Sequence, residues 1–307
     1  MIPSVDSSGY TSATATSTAT SNRVPVKVDV GGGGGTVVVD ELEHVWHGKE
    51  VFGTSDWAVQ GFDYNEATNQ FFTTYYSKET GEAILSIQDG ATGEETAHYV
   101  LDGLNKAGGV SSDDKFLYVS NVTGDGEASV HAYSLESLEA AGTTHIKADQ
   151  VTPTAVGSTI TVNDGIAYVA QFGRNPPGPF GEDDRPYLHM YKVNDDGTLG
   201  EKLNSVPIPY EVQGIEVTDQ GVLLVRSYGE GLIGKPHEVM LMEFNGSKTD
   251  FEHYDDAEKV AETAPYAEGA DIVGDELWIS NEGGSTRYKG DDGIPGPEQF
   301  DLDDLDG

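Results

Sequence analysis

From Trp57 onward the chain repeats one pattern five times: a short strand bearing glycine, a turn rich in Asn, Asp and Gly, and then a strongly apolar strand. The units are QGFDYNEATNQFFTTYY from Gln60, AGGVSSDDKFLYVSN from Ala107, VGSTITVNDGIAYVAQF from Val156, VQGIEVTDQGVLLVRSY from Val212 and EGADIVGDELWISN from Glu268. One such unit cannot cover its own apolar faces, so each must pack against the next.

Turns of the kind NEATNQ, SSDDK, VNDG, TDQG and VGDE suit tight antiparallel hairpins. Third strands follow, as in EAILSIQD, ASVHAYSL, PYLHMYKV and HEVMLMEF, with weaker fourth strands such as ETAHYVL or THIKAD. Taking Gly61, Gly109, Gly157, Gly214 and Gly269 as equivalent gives spacings of 48, 48, 57 and 55 residues, the length of a four-stranded propeller blade. The expected fold is all-β, a five-bladed β-propeller. SLESLEAAG from Ser134 is the one helical-looking stretch.

The fifth unit supplies two clear strands and STRYKG as a third, so its outer edge needs a partner. The Val-rich stretches 24–30 and 36–40 fit that place, which predicts a ring closed by an N-terminal strand. The expected division is a flexible Ser/Thr-rich head over 1–23, one propeller domain over 24–290 and an acidic C-terminal tail over 291–307.

Acidic residues number 53 against 17 basic, a formal charge of -36 at pH 7. Such a chain repels phosphate backbones and anionic membranes, which argues against nucleic acid as a partner. The absence of cysteine removes disulfides and thiolate chemistry. No apolar run approaches membrane-span length, and the opening MIPSVDSSGY lacks the basic and apolar regions of a secretory signal. The charge is met by salt screening or by a solvated surface; Lys outnumbers Arg 12 to 5, which does not single out a high-salt habitat.

The words of the repeats, together with AYVAQFGRN, LHMYKVNDDGTLG and YAEGADIVGDELWISNEGGSTRY, make the chain resemble a group of mostly secreted actinobacterial β-propellers over about residues 58–288. No activity comes with that resemblance. In the opening hairpin the chain is also similar to the five-bladed receptor-binding propellers of tailed phages, which implies a virion-surface setting.

In a propeller the inner strand begins and its neighbour ends on one face, the usual ligand face. It should carry Gln60, Gln213 and Glu268 from strand starts, and Tyr76, Asn281, Glu282, Arg174 and Tyr228 at or beyond strand ends. The competing reading has these side chains tying neighbouring blades together. GEGLIGK at 229–235 matches phosphate-loop patterns, but Pro236 stands where Ser or Thr would hold magnesium and strand sequence follows. His131 and His189 fall in corresponding third strands, which favours packing over ligation. Acidic turns such as VTGDGEA, NDDGTLG and GDDG make calcium the one cofactor worth weighing, although none has EF-hand spacing.

The first expectation is a non-enzymatic propeller outside the cell or on a virion, binding an envelope glycan or a protein partner through this face. Tyr76, Phe172, Tyr187 and Tyr228 would be available for stacking on sugars. The alternatives are a secreted metal-dependent hydrolase or lactonase with a cation near Glu268, and an architectural module. Oligomeric state does not follow from the sequence.

Overall fold

Alternating apolar strands with Asn/Asp/Gly turns leave the backbone one economical solution, the antiparallel meander. The computed structural model describes residues 24–26, 37–39, 57–77, 79–141, 144–173, 185–227, 237–251, 257–282 and 297–305. The short N-terminal strands are β1 (Val24–Val26) and β2 (Val37–Val39). Blade 1 is β3 (Trp57–Asn65), β4 (Gln70–Ser77), β5 (Ala83–Asp89) and β6 (Glu95–Leu101). Blade 2 is β7 (Ala107–Ser112), β8 (Phe116–Val122) and β9 (Ala128–Ser134), then, after helix α1 (Leu135–Ala140) and β10 (His145–Ile146), β11 (Gln150–Thr154).

Blade 3 is β12 (Thr159–Asn163), β13 (Ile166–Ala170), β14 (Tyr187–Val193) and β15 (Leu199–Pro207). Blade 4 is β16 (Val212–Val217), β17 (Gly221–Ser227), β18 (His237–Glu243) and β19 (Glu258–Glu262). Blade 5 is β20 (Ala267–Val273), β21 (Glu276–Asn281) and β22 (Glu298–Asp301). The inner strands β3, β7, β12, β16 and β20 pack side by side in that order, and β20 returns to β3. The fold is a five-bladed β-propeller.

Inner strands are covered on both faces, so β3 and β7 are buried along almost their whole length. Outer strands meet water and accept polar residues; β11 even carries Pro153, which an edge strand tolerates. Apolar clusters fill each junction, for example Leu85, Val110 and Leu117 between blades 1 and 2, or Tyr168, Leu188, Ile215 and Leu224 between blades 3 and 4. Where blade 5 meets blade 1 the filling is aromatic. Trp278 stacks on Phe62 and Phe71 with centroids 6.4 and 5.7 Å apart.

The glycines of the repeat allow inner strands to approach closely. A Cβ on Gly214 would lie 2.2 Å from the Glu268 carbonyl oxygen, and one on Gly269 would lie 2.5 Å from the Phe62 nitrogen. In blade 3 Gly157 is not the equivalent of the other repeat glycines. Ladder register aligns Phe62, Val110, Ile160, Ile215 and Ala270, so the position of Gly61 is held by Thr159 rather than Gly157.

Other expectations shift. THIKAD does not supply the fourth strand of blade 2, because β10 pairs in parallel with β6 of blade 1 and β11 takes that place. The third strand of blade 5 is Glu298–Asp301, within the stretch read as an acidic tail; it pairs Ile279 with Glu298 and Leu277 with Phe300. Buried Leu305 also packs into the blade 4–5 cluster. STRYKG lies outside the described residues, as does the head over 1–23. On the far side of β22, β2 pairs Val38 with Gln299 and Val39 with Glu298, and β1 pairs with β2. The helix is where the sequence put it, with the Ser134 hydroxyl accepting from the Ser137 amide at 3.4 Å.

Candidate functional site

Four inner strands break register at the repeat glycine: between Val59 and Gly61, Ala107 and Val110, Val212 and Gly214, and Ala267 and Ala270. A bulge bends the strand and re-aims a side chain. Here it presents Gln60, Gln213 and Glu268 to the axial end of the propeller. Together with Gly108 and Ser158 these residues line one cavity of about 570 Å³ that draws on all five blades. Tyr76, Asn105, Lys106, Phe172 and Glu282 complete much of its wall.

The glutamines are held by carboxylates of blade 5. Gln60 Nε2 donates to Glu282 Oε1 at 2.5 Å and to the Val59 carbonyl at 2.7 Å. Gln213 Nε2 donates to Glu268 Oε1 at 2.9 Å. These bonds join blade 1 to blade 5 and blade 4 to blade 5, so the side chains expected at a ligand face also tie blades together. The fixed rotamers are what a preorganised pocket requires.

Of the remaining predicted residues, Tyr76 is at the wall with Lys106 Nζ 5.6 Å from its ring centroid. Asn281 is buried behind the wall, where Nδ2 donates to the Pro265 carbonyl at 2.8 Å. Arg174 and Tyr228 lie outside the described residues, as does the 229–235 loop. Tyr187 is exposed at the start of β14 and does not line the cavity. Arg226 is held by Glu238 and the Tyr210 carbonyl. Lys106 and Asn105 were not singled out from sequence; their one signal is their place immediately before the AGG strand start.

Three residues further along each inner strand, about 10 Å deeper, every blade places a polar side chain: Asp63, Ser111, Thr161, Glu216 and Asp271. They form a belt with hydrogen bonds across four of the five junctions. Ser112 Oγ donates to Asp63 at 2.6 Å, the Val162 amide to Ser111 Oγ at 2.9 Å, and Thr161 Oγ1 to Glu216 at 3.0 Å. Glu216 and Asp271 lie close enough for their charges to act on each other, and the Tyr64 amide donates to Asp271. Burial raises all three acids, Asp63 to about 6 and Glu216 to about 7. Asp271 is held well above its ordinary value by burial and then by the charges of Glu216 and Asp63.

Among the described residues no three His, Cys, Asp or Glu side chains are grouped to hold a metal ion. Two of the acidic turns use carboxylates internally: Asp125 accepts from Thr123 Oγ1 at 2.5 Å and Asp196 from Thr198 Oγ1 at 2.6 Å, while GDDG at 290–293 lies outside the described residues. His131 and His189 share one register position in their third strands and are buried. Burial lowers both pKa values.

No family model and no curated protein matches the chain. Solved structures do. Kuenenia stuttgartiensis hydrazine synthase is similar over 72% of this chain and 55% of its own, at 12% identity and TM-score 0.44. The β-propeller domain of the Trilobed protease from Pyrococcus furiosus is similar over 72% and 62%, at 6% identity and TM-score 0.39. A structure from a study of two prolyl endopeptidases is similar over 81% and 35%, at 14% identity and TM-score 0.38. The chain thus spans less than two thirds of each of these proteins, and the likeness is one of fold.

Proposed function

We propose that the protein is a non-enzymatic binding propeller whose axial cavity takes a small, donor-rich ligand, such as a saccharide unit of a cell-envelope glycan. The observation that carries this reading is the convergence of Gln60, Ser158, Gln213, Glu268 and Glu282 on one cavity of about 570 Å³, a common size for ligand sites. Carboxylates and amides supply hydrogen bonds to hydroxyls, while Tyr76 and Phe172 supply aromatic surface. A setting outside the cell or on a virion is part of the same proposal and draws on the resemblances in the repeat words. A glycan array tests it: wild-type protein should bind a defined subset of glycans and Gln213→Ala should lose them. An array with no binding above background contradicts the glycan reading.

One observation favours a hydrolase as the second reading. Glu268 and Glu282 face the same cavity from neighbouring strands, as paired carboxylates for glycosidic chemistry would, or as oxygen ligands for calcium. On that reading Glu268→Gln abolishes turnover of a glycan that the variant still binds. A purely architectural module would keep its assembly when either glutamate is changed.

A further inference from the structure

The chain contains one Asn–Gly pair, Asn245–Gly246, in the turn that follows β18. Asn245, Gly246 and Ser247 are all exposed, and the Asn245 side chain makes no hydrogen bond among the described residues. Gly246 has a φ of 78°, open space where a side chain would stand, and an amide nitrogen with no acceptor among the described residues. Asn204 also precedes a small residue, Ser205, but it is fixed: Nδ2 donates to the Thr249 carbonyl at 2.7 Å and Oδ1 accepts the Ser205 amide at 2.8 Å. The turn is at the same time a clasp on blade 3. Lys248 Nζ donates to Asn163 Oδ1 at 2.8 Å and pairs with Asp164 at 2.7 Å, while Tyr168 Oη donates to the Lys248 carbonyl at 2.8 Å. Its shape is closed by the Asn245 amide on the Asp250 carbonyl at 2.9 Å and by the Asp250 amide on the Ser247 carbonyl at 3.0 Å.

We infer that Asn245 is a site of spontaneous deamidation in the folded protein, and that its conversion to isoaspartate loosens the clasp between blades 3 and 4. The Gly246 nitrogen attacks Asn245 Cγ and gives up its proton; the new N–Cγ bond closes a succinimide ring, and the Cγ–Nδ2 bond breaks to release ammonia. Water then opens the ring at either carbonyl, its hydroxyl going to the carbon and its proton to the nitrogen, and leaves aspartate or isoaspartate with no change of oxidation state. Glycine favours the first step because no side chain shields the nitrogen and the backbone can turn to present it. Isoaspartate carries the main chain through what was the side-chain methylene. The turn is then one carbon longer between the Asn245 amide and Lys248, so the bonds that close it and seat Lys248 on blade 3 lose their spacing.

The test is ageing of the full chain in warm, mildly alkaline buffer made with heavy-oxygen water, followed by peptide mass spectrometry. Ring opening leaves a heavy oxygen at each residue that has reacted. Asn245 should take up label about tenfold or more faster than Asn204, which must first give up two hydrogen bonds, and isoaspartate should be the main product. The aged wild type should melt at a lower temperature than the fresh protein. Asn245→Gln, whose longer side chain does not close the five-membered ring at a comparable rate, should keep its melting temperature through the same treatment. An Asn245 that retains its amide in the folded chain, while the same chain in denaturant converts, overturns the inference. Conversion at Asn245 with equal melting of aged wild type and aged Asn245→Gln overturns its effect on the clasp.

Discussion

Gln60 and Glu282, 222 residues apart in sequence, meet at 2.5 Å across the junction where the last blade returns to the first. The same junction carries the Trp278–Phe62–Phe71 stack, the Tyr64–Asp271 hydrogen bond and the contact of Gly269 with Phe62. Closing the ring and building the cavity are therefore one event in this molecule. Loosening the junction should weaken ligand binding as well as stability.

Gly214→Ala should test the close packing of inner strands. The added methyl would meet the Glu268 carbonyl at 2.2 Å, a backbone atom that cannot rotate away. Overpacking of this kind costs about 1–3 kcal/mol, and here the strain falls beside Glu268 of the cavity. Denaturant unfolding should show that loss, and ligand affinity should fall with it; unchanged stability would contradict the register described for β16 and β20.

The belt predicts an unusual pH profile. Asp63 and Glu216 bind their protons more tightly in the folded chain, near 6 and 7, than at their ordinary values of 3.8 and 4.5. Their contribution is complete below the ordinary values and is lost as pH rises through 6 to 7, on the order of a few kcal/mol in all. At high salt, where surface repulsion is screened, the melting temperature should fall over that interval. Asp271→Asn keeps an acceptor for the Tyr64 amide, removes one acid and should flatten the fall. A profile that rises over the same interval would refute this account of the belt.

Glu298 makes a separate case. It is fully buried in β22, and accepts the Ala264 amide with both oxygens at 2.9 and 3.0 Å. Burial raises its pKa to about 8. Stability from this group is held below 4.5 and declines as pH rises through 8. Glu298→Gln retains an acceptor and cannot ionise, so it should unfold at a higher temperature than wild type above pH 8; Glu298→Ala should cost about 1–3 kcal/mol at neutral pH by stranding the Ala264 amide. Identical melting curves for the three proteins at alkaline pH would show that Glu298 stays ionised at no cost.

The N-terminal strands give a fourth prediction. β2 covers the edge of β22 through Val38 and Val39, and without it that edge would present unpaired backbone groups. We propose that this pairing locks blade 5. Removing residues 1–40 should lower the melting temperature and promote association, measured by light scattering. A truncated protein that melts and sediments as the full chain does would show that β22 needs no cover.

The blades were legible because each repeat states a hairpin in turn chemistry and alternation; in VNDG, Asp164 and Gly165 adopt the positive φ values of 50° and 73° that its two-residue turn requires. The belt is legible too, as the polar residue two places after each repeat glycine or its Thr159 counterpart. The phrases are GFD, GVS, TIT, GIE and GAD. The third strand of blade 5 was not legible, since Glu298–Asp301 is short and sits among Pro, Gly and Asp, a composition that reads as solvated chain. Only its tertiary setting, with Ile279 and Leu277 opposite, makes it a strand. In the cavity, strand-start and strand-end arguments found Gln60, Gln213, Glu268, Tyr76 and Glu282. They missed Lys106 because a lysine in a linker carries no pattern.

The central claim is that ligand enters the axial cavity. The most direct measurement is a crystal structure of the protein soaked to saturation with the glycan that binds it most tightly on the array. The account predicts sugar density in the cavity, with ring hydroxyls within hydrogen-bond reach of Gln213 and of Glu282 or Glu268. A cavity holding solvent alone, with sugar elsewhere on the blades or nowhere, would contradict it.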